Sequence, residues 1–260
     1  MKKTGLSVLM LLVGVMMLVS ISARAFVLGP TVPGKWGGAT VGTGAAVTWS
    51  YMATGVDCSV EFVGCSITGL SDFMPIGFGT AVNAAFDTWS TIADITFTEV
   101  ADGGEAYNGF PRGGDIRLGG HTFNGVGGVL AHGFFPPANG AGAAGDIHFD
   151  RVDTWKLGFG GPGFDIFQVL SHEIGHAIGL DHTSVAGSLM NPFYSEAFSG
   201  PQADDRAAAI FLYGAADVTP PLDEPDPLAW ILLGCLFLLQ RQRRVQSARA
   251  RCEETRRAWL

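Results

Sequence analysis

Apolar and polar positions alternate with a period of two over residues 46–52 (AVTWSYM), 95–100 (ITFTEV) and 115–119 (DIRLG), which predicts three strands. Between the first two, residues 75–92 set Ala81, Ala84, Ala85, Trp89 and Ile92 at roughly helical spacing, so the order begins strand, helix, strand, strand. A second helix is predicted over 164–179, with apolar residues at 166, 167, 169, 170, 174, 177 and 178 and a glycine stop. A third is predicted over 200–214, with Pro201 near its start, Asp204 and Asp205 early, and Gly214 at its end. A mixed α/β fold with helices outside one sheet is the simplest assembly.

Two stretches interrupt this periodicity. From 103 to 163 glycine is dense, yet GGHTFNGVGGVLAHGFF and ANGAGAAGDIHFD contain well-formed apolar pieces ending on His and Asp. A flexible linker has no need of them, so ordered loops folded around ions are expected. At the amino end, Lys2 and Lys3, an apolar run over 6–21 and Ala23-Arg24-Ala25 make a secretory signal over 1–25, with a mature start near Phe26.

Charge sharpens the division of the chain. The net charge of −8 conceals an acidic body: residues 26–228 hold 6 Lys and Arg against 22 Asp and Glu, whereas residues 229–260 hold seven Arg and two Glu. Such a body cannot neutralise phosphates, which excludes nucleic acid as a partner, and it suits hard cations such as calcium. A domain over 26–215 is therefore followed by a Pro/Asp-rich linker (216–227), an apolar segment with an Arg cluster (228–244) and a basic tail (245–260). The apolar run over 228–239 is short for a membrane span, which needs roughly 20 residues. Cys58 and Cys65 lie close together in the exported part, and an oxidising compartment predicts a small disulfide-closed loop there.

The strongest chemistry lies in HEIGHAIGLDH, residues 172–182, which holds three of the six histidines. On a helix, His172 and His176 share a face and can bind one ion. Gly179 lets the chain leave the helix in a left-handed conformation, and His182 can return as a third ligand. Three imidazoles leave one tetrahedral position open, the mark of a catalytic rather than a structural zinc. Glu173 would hold a water there and take its proton.

HEIGHAIGLDH followed by TSVAGSLMNPFY closely resembles the catalytic segment of matrixins, a branch of the metzincin zinc peptidases. The resemblance runs from about Lys35-Trp36 to Tyr213-Gly214 and implies an α/β metzincin catalytic domain: a twisted, mostly parallel five-stranded sheet with three helices. It implies that Met190 floors the zinc site without ligating it. It also implies a structural zinc on His132 and His148, with His121 supplying a third ligand. The family's usual His-x-Asp pair is missing, since no Asp stands two residues after His121, and the fourth ligand is not identified. For calcium the resemblance points to Asp150 and Asp153 with backbone carbonyls of the 124–129 loop (Gly125, Gly127, Val129), where Asn124 replaces the usual Asp, and to Asp146 at a second calcium position.

The function these features imply is a secreted zinc endopeptidase acting on protein or peptide substrates. Substrate would lie extended beside an edge strand around 129–133, against Val129, Leu130 and Ala131, and by resemblance Pro192 and Tyr194 wall the main pocket. The competing reading is a zinc-stabilised surface or adhesion module, which would have no use for Glu173. Only about ten residues separate the predicted cleavage from Trp36 and none is cysteine, so no cysteine-bearing propeptide is expected. The order of Pro-rich acidic stretch, short apolar segment and Arg cluster resembles bacterial sorting signals of the PEP-CTERM type, and implies membrane or sorting-machinery contact.

Overall fold

The computed structural model describes residues 25–32, 34–110, 113–137 and 142–217. The expected signal peptide up to residue 24, and the linker, apolar segment and basic tail beyond 217, lie outside the described residues. The chain divides into two compact units at Ala216 and Asp217. Among the described residues no helix is long and apolar enough to cross a membrane.

In chain order the elements are β1 (Val27–Leu28), β2 (Ala45–Tyr51), a 3-10 turn (Leu70–Asp72), α1 (Phe78–Ser90), β3 (Ile95–Glu99), β4 (Ile116–His121), β5 (Ala131–Gly133), β6 (Ile147–Asp150), β7 (Trp155–Lys156), β8 (Phe164–Asp165), α2 (Ile166–Ala177), β9 (Leu180–Asp181) and α3 (Ala203–Tyr213). The main sheet has the order β3-β2-β4-β6-β5. All its neighbours are parallel except β5, which runs antiparallel to β6 at the edge. This is the mostly parallel five-stranded sheet with three helices expected from the sequence.

The expected strand over 115–119 runs on to His121, where it pairs with Asp150 of β6. Every residue of β4 is buried, so the alternation that would have marked its end is missing, as in strands covered on both faces. The first helix starts at Phe78 rather than 75 because Gly77, at φ 89°, turns the chain just ahead of it. The edge strand is shorter than 129–133: the Val129 N–H goes to the Asn124 side chain instead of a ladder (2.9 Å).

Helix α1 buries Val82, Ala85, Phe86 and Trp89, one face at helical spacing. Phe86 stacks on Trp49 of β2 (centroids 4.7 Å apart), and the Trp89 indole donates to the Ser171 carbonyl of α2 (3.0 Å). Helix α2, which carries the histidines, is almost wholly buried. Its start is set by Asp165, whose carboxylate accepts from the Gln168 N–H (2.8 Å). Its end would leave carbonyls unsatisfied, and two distant rings take them: Trp36 Nε1 donates to Ala177 (2.7 Å) and the Tyr213 hydroxyl to Ile178 (2.8 Å). The same hydroxyl accepts the Trp36 N–H (3.1 Å), so the end of α2, the end of α3 and the segment after β1 are tied at one point.

A smaller apolar cluster of Met52, Val56, Cys58, Cys65, Ile67, Tyr107 and Ala143 lies apart from the main core. The Cys58–Cys65 disulfide expected from the sequence is formed within it. Closing a loop this short contributes about 2.5 kcal/mol in a chain-entropy account.

Removing the α2 cap tests this account of the helix. Asp165→Ala should destabilise the fold by about 1–2 kcal/mol, read as a lower denaturant midpoint at unchanged slope, and an unchanged midpoint would show that Asp165 does not hold the helix start.

Candidate metal centres and active-site cleft

His172 and His176 lie one turn apart on α2. After it, Gly179 sits at φ 108°, and a Cβ there would meet the Gly34 carbonyl oxygen at 2.1 Å, so only glycine makes this exit. The chain then enters β9, which pairs antiparallel with β1, and delivers His182. The His182 Nε2 lies 3.2 Å from the Nε2 of both His172 and His176. Ligands about 2.0–2.1 Å from a tetrahedral zinc stand roughly 3.3–3.4 Å apart, so the three nitrogens fit corners of one such ion.

The other ring nitrogens explain why these point inward. His172 Nδ1 donates to the Leu189 carbonyl (2.6 Å) and His176 Nδ1 to the Leu180 carbonyl (2.8 Å). A carbonyl can only accept, so Nδ1 carries the proton and each Nε2 keeps its lone pair. Burial pushes the His172 pKa down to about 4 and that of His176 to about 3. Both rings stay neutral, the form that binds metal.

Met190 packs against α2 at Gly175. A Cβ on Gly175 would meet its Sδ at 2.3 Å, so the small residue in HEIGH makes room for the thioether against the helix. The turn holding Met190 is fixed by Asp205 of α3, which is 1% exposed. Its carboxylate accepts the N–H groups of Leu189 (2.7 Å), Met190 (3.1 Å) and Gln202 (2.7 Å) and the Ser188 hydroxyl. Sequence reasoning took Asp205 for a helix-dipole acid; its larger role is to hold the carbonyl that orients His172. The signal available was its place in the capping box of α3.

Glu173 points from α2 toward β5. Burial raises its pKa to about 8, partly offset by the N–H of Gly133. It lines a cleft of about 670 Å³ together with all three histidines. Val129, Leu130, Ala131, Pro192 and Tyr194 are among its other lining residues. The Tyr194 hydroxyl is engaged away from the histidines: it accepts the Asp165 N–H (2.9 Å) and donates to Glu196 (2.7 Å).

The remaining histidines converge as well. His121, His132 and His148 form a second cluster, joined by a residue sequence reasoning missed, Glu61. Its Oε2 is 2.8 Å from His121 Nε2 and its Oε1 2.8 Å from His148 Nδ1 and 3.5 Å from His132 Nε2. Burial lowers the His148 pKa to about 4, against the opposing pull of Glu61.

Among the expected calcium ligands, Asp153 Oδ1 accepts the Gly127 N–H (2.7 Å) and Asp150 Oδ1 the Val152 N–H (3.1 Å). The second oxygen of each is buried with no hydrogen-bond donor. Burial raises the Asp153 pKa, the Gly127 N–H opposes it and the Asp150 charge adds to it. The 124–129 loop is closed by Asn124 Oδ1 and by a Gly128 N–H to Gly125 carbonyl bond (3.1 Å). Asp146 is fully buried and its Oδ1 accepts the Arg117 N–H (3.2 Å).

Comparison with known proteins adds an independent finding. The family model described as Matrixin matches residues 67–214. Stromelysin-3 of Xenopus laevis is 39% identical over 150 residues, covering 55% of this chain and 29% of the frog protein. Karilysin of Tannerella forsythia is 36% identical over 142 residues (52% of this chain, 28% of karilysin), and human matrix metalloproteinase-16 is 39% identical over 160 (56% and 25%). The chain thus spans less than a third of the length of these relatives.

The raised Glu173 pKa makes metal-free stability pH-dependent. A carboxyl with a folded pKa near 8 stabilises fully below its unfolded value of about 4.3, and that contribution is lost as pH rises through 8. The histidine contributions run the other way: complete above their unfolded value of about 6.5, they are lost only as pH falls toward 4 and 3. Thermal melts of chelator-treated protein between pH 6.5 and 8 should therefore fall with pH for wild type and fall less for Glu173→Gln. Parallel curves would show that Glu173 is already ionised in the fold.

Proposed function

The chain is a member of the matrixin family, and on that premise we propose that it is a zinc-dependent endopeptidase cutting extended protein segments. The observation that carries this reading is the convergence of three Nε2 atoms beside a buried carboxylate, in a cleft bordered by an edge strand.

His172, His176 and His182 would hold the zinc. When bound, zinc supplies Lewis acidity and brings the pKa of water to about 7. The residues do the rest. Among the described residues β5 has a strand neighbour on one side only, so its other side can pair with a substrate backbone and lay the scissile bond across the histidines. Glu173 accepts the proton of the attacking water and returns it to the amine nitrogen as the carbon–nitrogen bond breaks. His182 is the exposed member of the triad, so the open side of the site faces the solvent from which substrate comes.

Calcium on Asp150 and Asp153 with the 124–129 loop is part of the same reading, since two neighbouring buried carboxylates with undonated oxygens call for a hard cation. Export through residues 1–25 and envelope retention through 228–244 are read from the sequence.

A peptide-library digest compares wild type, Glu173→Ala and chelator-treated protein. The variant should lose at least about a hundredfold in cleavage rate while retaining its zinc by metal analysis; undiminished cleavage would remove Glu173 from the mechanism. Calcium is tested by melting in a calcium-selective chelator. At a hundred times Kd calcium adds about 2.7 kcal/mol, roughly 5–10 °C for a domain of this size, and Asp153→Asn should abolish most of that increment. A melting temperature indifferent to calcium would overturn the assignment.

A further inference from the structure

Three histidines from three adjacent strands meet on one face of the sheet. His132 of β5 is in register with His148 of β6. His121 of β4 stands two residues beyond Gly119, the register partner of His148, and so shares its face. These rigid strands fix three corners of a site. The fourth corner falls to a segment that is part of neither the sheet nor the family match at 67–214, the loop carrying Glu61.

That loop is built to stay there. Residues 55–67 form a narrow hairpin held by the Asp57 and Ser66 bridge and by Ile67 N–H to Val56 carbonyl (2.8 Å). At its base Thr68 bridges to Gly120 of β4, one residue from His121. The Cys58–Cys65 disulfide closes the neck, with both cysteines buried. Inside the loop two turns, Glu61 N–H to Cys58 carbonyl (2.9 Å) and Cys65 N–H to Phe62 carbonyl (3.1 Å), aim Glu61 at the histidines. Phe62 sets its ring edge against His121 (5.4 Å).

The atoms converge: Glu61 Oε2 lies 2.8 Å from His121 Nε2 and Glu61 Oε1 2.8 Å from His148 Nδ1, and the four candidate ligand atoms lie within 4.8 Å of one another. His132 Nε2 and His148 Nδ1 lie 3.2 Å apart, close to the tetrahedral edge of a zinc site. Where an acid is missing two residues after His121, Phe123 instead stacks on His132 (4.8 Å).

We propose that Glu61, His121, His132 and His148 form a closed four-coordinate zinc site whose only anionic ligand is delivered by the disulfide-closed loop, so that metal and disulfide are linked. Opening the disulfide takes two electrons and two protons, gives two thiols and frees the loop to carry Glu61 away. Linkage is reciprocal: what the disulfide adds to zinc affinity, zinc adds to the disulfide's resistance to reduction. The inference is independent of the peptidase reading, because peptide cleavage is not its readout.

The test uses the full chain. After dialysis against graded EDTA, wild type should hold two zinc ions per chain, whereas Glu61→Gln and the Cys58→Ser/Cys65→Ser double variant should each release one at a chelator concentration at least about tenfold lower. In wild type, zinc should slow trapping of the Cys58 and Cys65 thiols, read on their own peptide by mass spectrometry, by a phosphine reductant and an alkylating agent at least about tenfold, and Glu61→Gln should lose that protection. Equal retention of both ions by Glu61→Gln, or an alkylation rate in wild type indifferent to zinc, would overturn the proposal. If Glu61→Gln shows no cooperative melt, the wild-type alkylation pair decides by itself.

Discussion

Imidazole rings rotate freely unless something holds the nitrogen that does not bind metal. In this protein two backbone carbonyls, those of Leu189 and Leu180, hold His172 and His176. The Leu189 carbonyl is in turn where it is because Asp205 accepts the N–H groups of Leu189 and Met190. The orientation of His172 on α2 therefore depends on a carboxylate on α3, through one peptide unit between them. Such outer partners commonly govern affinity by one to two orders of magnitude.

Burial has opposite electrostatic consequences on neighbouring residues of the same helix. It lowers the pKa values of His172 and His176 and raises that of Glu173, because in each case the charged form is the one that loses hydration. Without a cation, burial therefore favours the neutral forms of these three side chains. Such a site is ready for a divalent ion, whose charge the carboxylate would then answer.

Much of this was legible beforehand. The spacing of HEIGHAIGLDH located the three convergent nitrogens, because a helix puts residues four apart on one face and a glycine can end it. The helices showed in their apolar periodicity, and the disulfide in two close cysteines. β4 was cut short because Gly120 and His121, though buried in the strand, do not continue the alternation of residues 115–119. Glu61 was out of reach, since contact between residues 61 and 148 arises only when a hairpin folds over a sheet. Asp205 was visible but misjudged, as a helix-start acid and a turn-holding acid look alike until the turn is seen.

The brevity of β5 has its own consequence. An unpaired strand edge that can receive a peptide can also receive another copy of itself, and long flat edges template aggregation. Three residues, Ala131–Gly133, give an edge too small to propagate a ladder. The backbone contacts it offers are few, so affinity for any peptide must come mostly from side chains entering the cleft. The same economy that denies a neighbouring copy a ladder leaves little backbone for any peptide to hold.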